Sequence, residues 1–159
     1  MIKIQIPATS ANLGAGFDAL GLALTYYNYI EMEECDKIDI TAADGLDIPT
    51  DERNLIYISA KDLFAVCGKK LEGLKLIQTS NIPMARGLGS SSACIIAGLV
   101  GANKMLGDPL TKDDLVDLAA QIEGHPDNTA PALLGGIVTA VFDGRKVLWV
   151  KQEVFTKLK

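Results

Sequence analysis

The segment 83–93 carries the clearest chemistry in the sequence. It reads Pro-Met-Ala-Arg-Gly-Leu-Gly-Ser-Ser-Ser-Ala and runs directly into an apolar stretch at 94–100. Gly87 and Gly89 lack a Cβ atom, so the backbone there can take a positive φ and come close to an anion. A helix that starts after them points unpaired N–H groups and the positive end of its dipole at that anion. The segment therefore predicts a phosphate-binding loop for a nucleotide.

Two common nucleotide motifs do not fit this segment. No Gly-Lys-Ser/Thr follows the glycines, so the loop is not a Walker A motif, and Ser92 takes the third glycine position of a dinucleotide fingerprint. The earlier stretch 14–19 fits G-x-G-x-x-A, but a strand-like alternation follows it where that motif requires a helix. An ordinary strand-to-helix turn with a serine N-cap stays open as the alternative to a phosphate loop.

Composition narrows the class of protein. The 159 residues are 48% hydrophobic and 22% charged, which is typical of one globular domain with a substantial core. The net charge of −5, without a run of Lys or Arg, argues against a nucleic-acid surface. No apolar stretch reaches the roughly 20 residues that cross a bilayer. Three widely spaced cysteines predict reduced thiols rather than disulfides or a zinc site, and hence a cytoplasmic protein.

Residue periodicity predicts the elements that position the loop. Strands are predicted at 2–6, 20–33, within 31–47, at 74–79, and as a hairpin of 135–142 with 146–150. Helices are predicted at 52–67, 90–106 and from a capping box at Thr111 to residue 123. The segment 8–18 is predicted as a polar, glycine-rich loop. One mixed α+β layer structure is the simplest architecture.

Three polar, glycine-bearing loops interrupt this scaffold, at 9–18, 87–92 and 123–128. The second fits P-x-x-x-G-L-G-S-S followed by a small residue, and in this it resembles the GHMP kinase superfamily. Ser-Ala-Asn-Leu-Gly at 10–14, Gly-Phe-Asp at 16–18 and Asp-Asn-Thr-Ala-Pro-Ala at 127–132 make the chain similar to the homoserine kinases of that superfamily. The three motifs follow the family's order and cover nearly the whole chain.

The resemblance implies a GHMP kinase N-terminal, ATP-binding domain over residues 1–159. Its fold would be a ribosomal-protein-like β-α-β sandwich of a mixed sheet and helices. Family members are about twice as long, and their second half carries arginines that grip the substrate carboxylate, whereas Arg53, Arg86 and Arg145 of this chain lie in no such motif. We therefore expect the second domain to be absent from this chain, the chain alone to be inactive, and an exposed apolar face to favour a homodimer.

The activity implied by the resemblance is ATP-dependent phosphorylation of the side-chain hydroxyl of L-homoserine, a step toward threonine, with Mg²⁺ as cofactor and no nucleic-acid or membrane partner. Ser91, or alternatively Ser90, would ligate Mg²⁺ together with Glu123. The alternative for Glu123 is a solvated residue at a helix end. The positions implied to bind the nucleotide are Asn54, Pro83, Arg86, Gly87, Leu88, Gly89, Ser90, Ser91 and Ser92. A non-catalytic nucleotide-binding module, or a GHMP kinase for another small alcohol, stays open.

Asn12, Asp18 and Asn128 match substrate-contacting positions of the family. A carboxylate can pair with an amino-acid ammonium group, and an amide can bind polar substrate atoms. Turn-forming Asx side chains are the alternative for Asn12 and Asp18, and a helix N-cap is the alternative for Asn54.

The turn at 123–128 supplies the catalytic candidates. Asn128 and Asp127 are the two residues implied, with Asp127 as a minor candidate for a base, because the family picture is of catalysis without a dedicated one. His125 is predicted to be a structural residue in the turn before Pro126.

Overall fold

The computed structural model describes residues 1–152, which form six strands and four helices. The end of the chain at 153–159, which the domain prediction includes, lies outside the described residues. The strands are β1 (Ile2–Ala11), β2 (Leu20–Cys35), β3 (Ile38–Ala42), β4 (Gly73–Thr79), β5 (Ile137–Phe142) and β6 (Val147–Gln152). The helices are α1 (Leu55–Val66), α2 (Ser90–Met105), α3 (Lys112–Glu123) and α4 (Thr129–Leu134). None of these helices is long and apolar enough to cross a membrane.

The strands form one mixed sheet. Its main order is β3-β4-β2-β5-β6, and β1 pairs with β2 off this path. Strands β3 and β4 are parallel, whereas the other pairs are antiparallel. Strand β2 is 16 residues long and pairs with three strands, namely β1 along residues 21–32, β4 along 29–35 and β5 along 20–22, so it organises the whole sheet. The predicted α+β fold with a mixed sheet is confirmed.

Helices α1 and α2 pack on the sheet and close the core. Two glycines of α2 make this packing close, because a Cβ atom at Gly98 would overlap the carbonyl oxygen of Ile56 in α1, and one at Gly101 would overlap the sulfur of Met32 in β2. Fully buried side chains fill the space between the layers, among them Ile30, Met32, Ile56, Leu63, Phe64, Leu74, Leu76, Ile95, Ile96 and Leu99. Such dense packing holds the start of α2 in a fixed place.

Two strand predictions were wrong in their extent, and one helix was missed. Strand β1 continues to Ala11, so residues 8–11 are strand rather than loop, after a register shift between Pro7 and Thr9. Of the strand predicted within 31–47, residues 31–35 belong to β2 and only Ile38–Ala42 form β3. Helix α4 was not predicted, because six residues are too few to show a helical period, and its Pro131 is tolerated in the first turn.

The predicted capping box at the start of α3 is confirmed. The Oγ1 atom of Thr111 accepts a hydrogen bond from the backbone N–H of Asp114 at 3.2 Å, and the Asp114 carboxylate accepts one from the backbone N–H of Thr111 at 2.9 Å. The hydrogen bonds from Thr111 hold the pKa of Asp114 below its ordinary value. The start of the helix that ends in Glu123 is therefore fixed locally.

We expect the substitution Thr111→Ala to lower the free energy of unfolding by about 1 kcal/mol at neutral pH. Because the folded-state pKa of Asp114 is depressed, its contribution is full above the unfolded-state pKa and is lost as the pH falls through the folded-state pKa. The stability difference from wild type should therefore shrink as the pH falls below the ordinary aspartate pKa of 3.8. Urea unfolding at several pH values measures it, with Thr111→Ser as the control that keeps the hydroxyl. A stability difference that does not change with pH would show that the Asp114 carboxylate contributes nothing through its depressed pKa.

Candidate active site

A cavity of about 570 Å³ opens at the N-terminal end of α2. This volume lies within the range of about 300–1,000 Å³ that small-molecule sites occupy. The segment 84–92 forms one wall, and the start of α1 with the end of β4 forms another. The other two polar loops contribute Asn12, Glu123 and Asn128 to the lining. The fold thus brings the three polar loops of the sequence to one place.

The wall at 84–92 has the geometry predicted for a phosphate loop. Gly87 and Gly89 both have positive φ, at 69° and 63°. Gly89 is the N-cap of α2 and no side chain caps the helix, so the N–H groups of the first turn have no side-chain partner. The positive end of the α2 dipole therefore faces the cavity with donors available to an anion. Phosphate binding itself stays a prediction.

The two glycines have different reasons for being glycine. A Cβ atom at Gly87 would meet nothing within 4 Å, whereas one at Gly89 would overlap the hydroxyl of Thr9 and lie 3.1 Å from Oδ1 of Asn128. In addition, the backbone N–H of Thr9 donates to the carbonyl of Leu88 at 3.1 Å. Gly89 is thus where the loop rests directly on β1 and on the start of α4.

Glu123, at the end of α3, meets the first turn of α2. Its Oε1 atom accepts hydrogen bonds from Oγ of Ser91 at 2.9 Å and from Oγ of Ser92 at 3.0 Å. The predicted pair of Ser91 and Glu123 is therefore brought together across 32 positions of sequence. Ser90, the alternative metal ligand, also lines the cavity. Within residues 1–152 its hydroxyl makes no hydrogen bond to Glu123.

The other residues predicted to bind the nucleotide divide into two groups. Arg86 lines the cavity, whereas Pro83 does not belong to its lining. Asn54 lines it too, but the side chain is 3% exposed and caps α1, accepting from the N–H groups of Ile56 at 2.9 Å and Tyr57 at 3.4 Å. The N-cap alternative for Asn54 is confirmed, and a contact of its side chain with a base stays a prediction.

The predicted substrate residues Asn12 and Asp18 lie on different cavities. Asn12 lines the large one, and its Oδ1 atom accepts a hydrogen bond from the backbone N–H of Asp18 at 3.0 Å. Both residues have positive φ, at 56° and 51°, as Asx residues in tight loops often do. Asp18 lines a second cavity of about 310 Å³ together with Phe17 and His125. The Asn12 side chain therefore closes its own loop, as the turn-forming alternative predicted, through a bond that spans six residues.

His125 lines a cavity and contacts Asp127, which the sequence analysis did not predict. Its half-exposed ring lines the second cavity together with Asp18, and its Nδ1 atom lies 2.6 Å from Oδ1 of Asp127. Asp127 is 1% exposed and belongs to the lining of neither cavity, and its Oδ2 atom has no hydrogen-bond partner within residues 1–152. The Asp127 carboxylate therefore lies outside the linings of both cavities, and its role as a base stays a prediction. The signal that could have found the pair is the two-residue spacing of His125 and Asp127 in one turn.

Cys94 contributes a neutral thiol to the wall of the large cavity. Burial, and then the nearby charge of Glu123, raises its pKa to about 11. A thiolate is therefore not available at neutral pH beside the phosphate loop.

We expect the substitution Gly89→Ala to destabilise the chain more than Gly87→Ala. Both add the cost of a side chain at positive φ, about 1–2 kcal/mol, but only the first adds an overlap with Thr9. Urea unfolding of the two variants measures the difference in their free energies of unfolding. The cost of positive φ is common to both variants, so it cancels in the comparison. Equal losses of stability would show that Gly89 does not hold the loop against β1.

Several homoserine kinases are similar to this chain in sequence and in structure. The chain is 50% identical to the homoserine kinase of Carboxydothermus hydrogenoformans over 157 residues, which are 97% of this chain and 52% of that protein. It is 46% identical to the homoserine kinase of Petrotoga mobilis, in an alignment that covers 100% of this chain and 53% of that protein. The crystal structure of homoserine kinase from Cytophaga hutchinsonii superposes with a TM-score of 0.80 at 32% identity, covering 92% of this chain and 50% of the other.

The chain thus spans about half the length of the curated relatives that it matches. The family described as GHMP kinases N terminal domain matches residues 54–136, which include α1, the phosphate loop, α2, α3 and α4. Most residues that line the cavity at the start of α2 lie within the matched segment. The chain belongs to the GHMP kinase N-terminal domain family.

Proposed function

We propose that the protein containing this chain transfers the γ-phosphate of ATP to the side-chain hydroxyl of L-homoserine. The observation that carries the proposal is the convergence of the uncapped start of α2 with Glu123 and Asn128 on one cavity. Homoserine kinase relatives at 46–50% identity support the choice of acceptor. The described residues supply the nucleotide side and one edge of the acceptor side.

On the nucleotide side, the loop at 87–92 binds the β- and γ-phosphates. The backbone N–H groups at the start of α2 donate to phosphate oxygens, and Arg86 adds a positive charge at the rim. The base lies toward the start of α1, where Ile48, Pro49 and Leu55 make the wall apolar. This arrangement binds a polyanion in a protein with net charge −5 by placing donors locally.

The residues beside the loop fit a magnesium ion. Within the described chain no group of three His, Cys, Asp or Glu residues could hold a metal by itself. Mg²⁺ in phosphoryl-transfer enzymes commonly takes one or two carboxylates and completes its shell with water and substrate phosphates, and Glu123 with Ser91 offers that donor set. When bound, the ion would neutralise charge on the phosphate oxygens during transfer.

On the acceptor side, Asn128 lies at the junction of the loop and the cavity, where its amide can hold the substrate hydroxyl in line with the γ-phosphorus. Asp18 and His125 face the second cavity, and we assign the Asp18 carboxylate to the substrate ammonium group. Asp127 acts through His125, since its Oδ1 atom lies 2.6 Å from Nδ1 of the imidazole ring.

The chemistry needs alignment more than a strong base. The bond from the homoserine oxygen to the γ-phosphorus forms while the bond from that phosphorus to the β–γ bridging oxygen breaks, and ADP leaves. The transition state is loose, so the hydroxyl proton becomes acidic late and passes to solvent or to the transferred phosphate. Glu123 is already engaged by two serine hydroxyls and Asp127 is buried, so we assign neither as the base.

The direct test is ADP release by the full gene product with ATP and Mg²⁺, with and without L-homoserine. Homoserine-dependent release, and its failure with mevalonate or galactose, is the expected result. Turnover with another alcohol but not homoserine would make the protein a different GHMP kinase. Nucleotide binding without turnover on any alcohol would make it a binding module.

We expect Glu123→Gln to lower kcat by at least about tenfold and to raise the Mg²⁺ concentration needed for half-maximal rate. The amide keeps an oxygen that accepts from Ser91 and Ser92, so stability should change by less than about 1 kcal/mol. A magnesium titration of activity measures the effect, and Glu34→Gln, an exposed change of the same charge on β2, is the control. Normal turnover at limiting Mg²⁺ would remove Glu123 from the metal site.

We expect Asp18→Asn to raise the KM for homoserine by about tenfold with little change in the KM for ATP. The loss of charge weakens contact with the ammonium group, whereas the backbone hydrogen bond from Asp18 to Asn12 is kept. Steady-state kinetics in both substrates measures the split, with the exposed Asp39→Asn as the control. Equal changes in both constants would make Asp18 a structural loop residue.

A further inference from the structure

Thr9 is a buried polar residue that the proposed reaction does not yet use. Its side chain is 0% exposed in β1, directly after the register shift of that strand. The backbone N–H donates to the carbonyl of Leu88 in the phosphate loop at 3.1 Å. The hydroxyl donates to Oδ1 of Asn128 at 2.8 Å, across 119 positions of sequence. One residue therefore contacts both the phosphate-loop wall and the acceptor-side amide of the cavity.

The hydroxyl of Thr9 engages the oxygen end of the Asn128 amide. An asparagine side chain carries one accepting oxygen and one NH₂ group with two donors, and these ends exchange by a half turn of the amide. Since Thr9 engages the oxygen, the NH₂ group is directed away from β1, and no acceptor within residues 1–152 pairs with it. Asn128 therefore presents donors to an oxygen atom in the cavity.

The surroundings leave the amide little freedom to turn. Gly89 closes over the pair so tightly that a Cβ atom there would overlap the Thr9 hydroxyl and lie 3.1 Å from the Asn128 oxygen. On the other side, the backbone of Asp127 lies against Gly21 of β2 so closely that a Cβ atom at Gly21 would overlap the Asp127 carbonyl oxygen. The start of α4 is thus held between β2 and the phosphate loop, and Thr9 contacts both Asn128 and the phosphate loop.

We propose that Thr9 is a positioning residue, which holds the Asn128 amide with its NH₂ group toward the acceptor oxygen and in fixed distance from the phosphate loop. This inference rests on the proposed function, because it assigns Thr9 a role in that phosphoryl transfer. The two parts of Thr9 have separate roles. The hydroxyl acts through Asn128 alone, whereas the backbone N–H anchors the phosphate loop through the carbonyl of Leu88.

A double-mutant cycle in the full gene product separates these roles. Thr9→Val keeps the shape and the backbone N–H but removes the donor, and we expect kcat with homoserine to fall about tenfold or more while the KM for ATP changes less than about twofold. Thr9→Ser, which restores the hydroxyl, should recover most of the lost rate. In an Asn128→Ala background, Thr9→Val should cost nothing further. Additive losses in the double variant, or a rate for Thr9→Ser as low as for Thr9→Val, would overturn the proposal.

A second measurement does not depend on turnover. The side-chain NH₂ signals of Asn128 in a ¹⁵N–¹H correlation spectrum, assigned by their loss in Asn128→Ala, should shift in Thr9→Val and return in Thr9→Ser. Signals unchanged in Thr9→Val would show that the hydroxyl does not hold the amide. If wild type turns over no alcohol, the proposed function fails, whereas the spectrum still decides the contact. Thr9→Ala replaces Thr9→Val in both experiments if the valine variant does not fold.

Discussion

The close approach of three chain segments at Gly89 is the constraint on which the site depends. The phosphate loop, β1 and the start of α4 meet there without room for a single Cβ atom. If the loop moved away from β1, the hydrogen bond from Thr9 to the Leu88 carbonyl would break and the donors at the start of α2 would shift with it. The same contact sets the distance between those donors and Asn128. Alignment of two reactants, on which phosphoryl transfer depends, is therefore built into the packing of the backbone.

Electrostatics at the site depend on an arrangement of opposing charges. The start of α2 attracts an anion, but Glu123 places a carboxylate at the same first turn, and its charge is felt by the Cys94 thiol. A carboxylate beside a triphosphate is unfavourable unless a cation lies between them. Under the proposed function, a divalent ion that arrives with the nucleotide would lie between Glu123 and the phosphates and remove this repulsion. This is also why Glu123 is more informative than an ordinary acidic residue at a helix end.

The sequence was most informative where structure is decided locally. The start of α2, the capping box at Thr111 and the hairpin of β5 with β6 all follow from a few neighbouring residues, and the structure has each of them. The meeting of Ser91 with Glu123 was predictable from family resemblance. The hydroxyl contact of Thr9 with Asn128 was not, because it joins residues 119 positions apart and needs the sheet register to exist first. For the same reason residues 8–11 looked like polar loop, although residues 9–11 pair with residues 21–23 of β2 and continue the strand.

The two cavities differ in how completely they match their proposed ligands. The large cavity combines backbone donors, Arg86, an apolar wall and the Glu123 carboxylate, which together answer each chemical group of a magnesium nucleotide. The second cavity has Asp18 and His125 but neither Lys nor Arg in its lining among residues 1–152, and its Phe17 and Val141 are 75% and 62% exposed. An amino acid bound there would find a partner for its ammonium group and none for its carboxylate. Among the described residues, the proposed homoserine site is therefore less complete than the proposed nucleotide site.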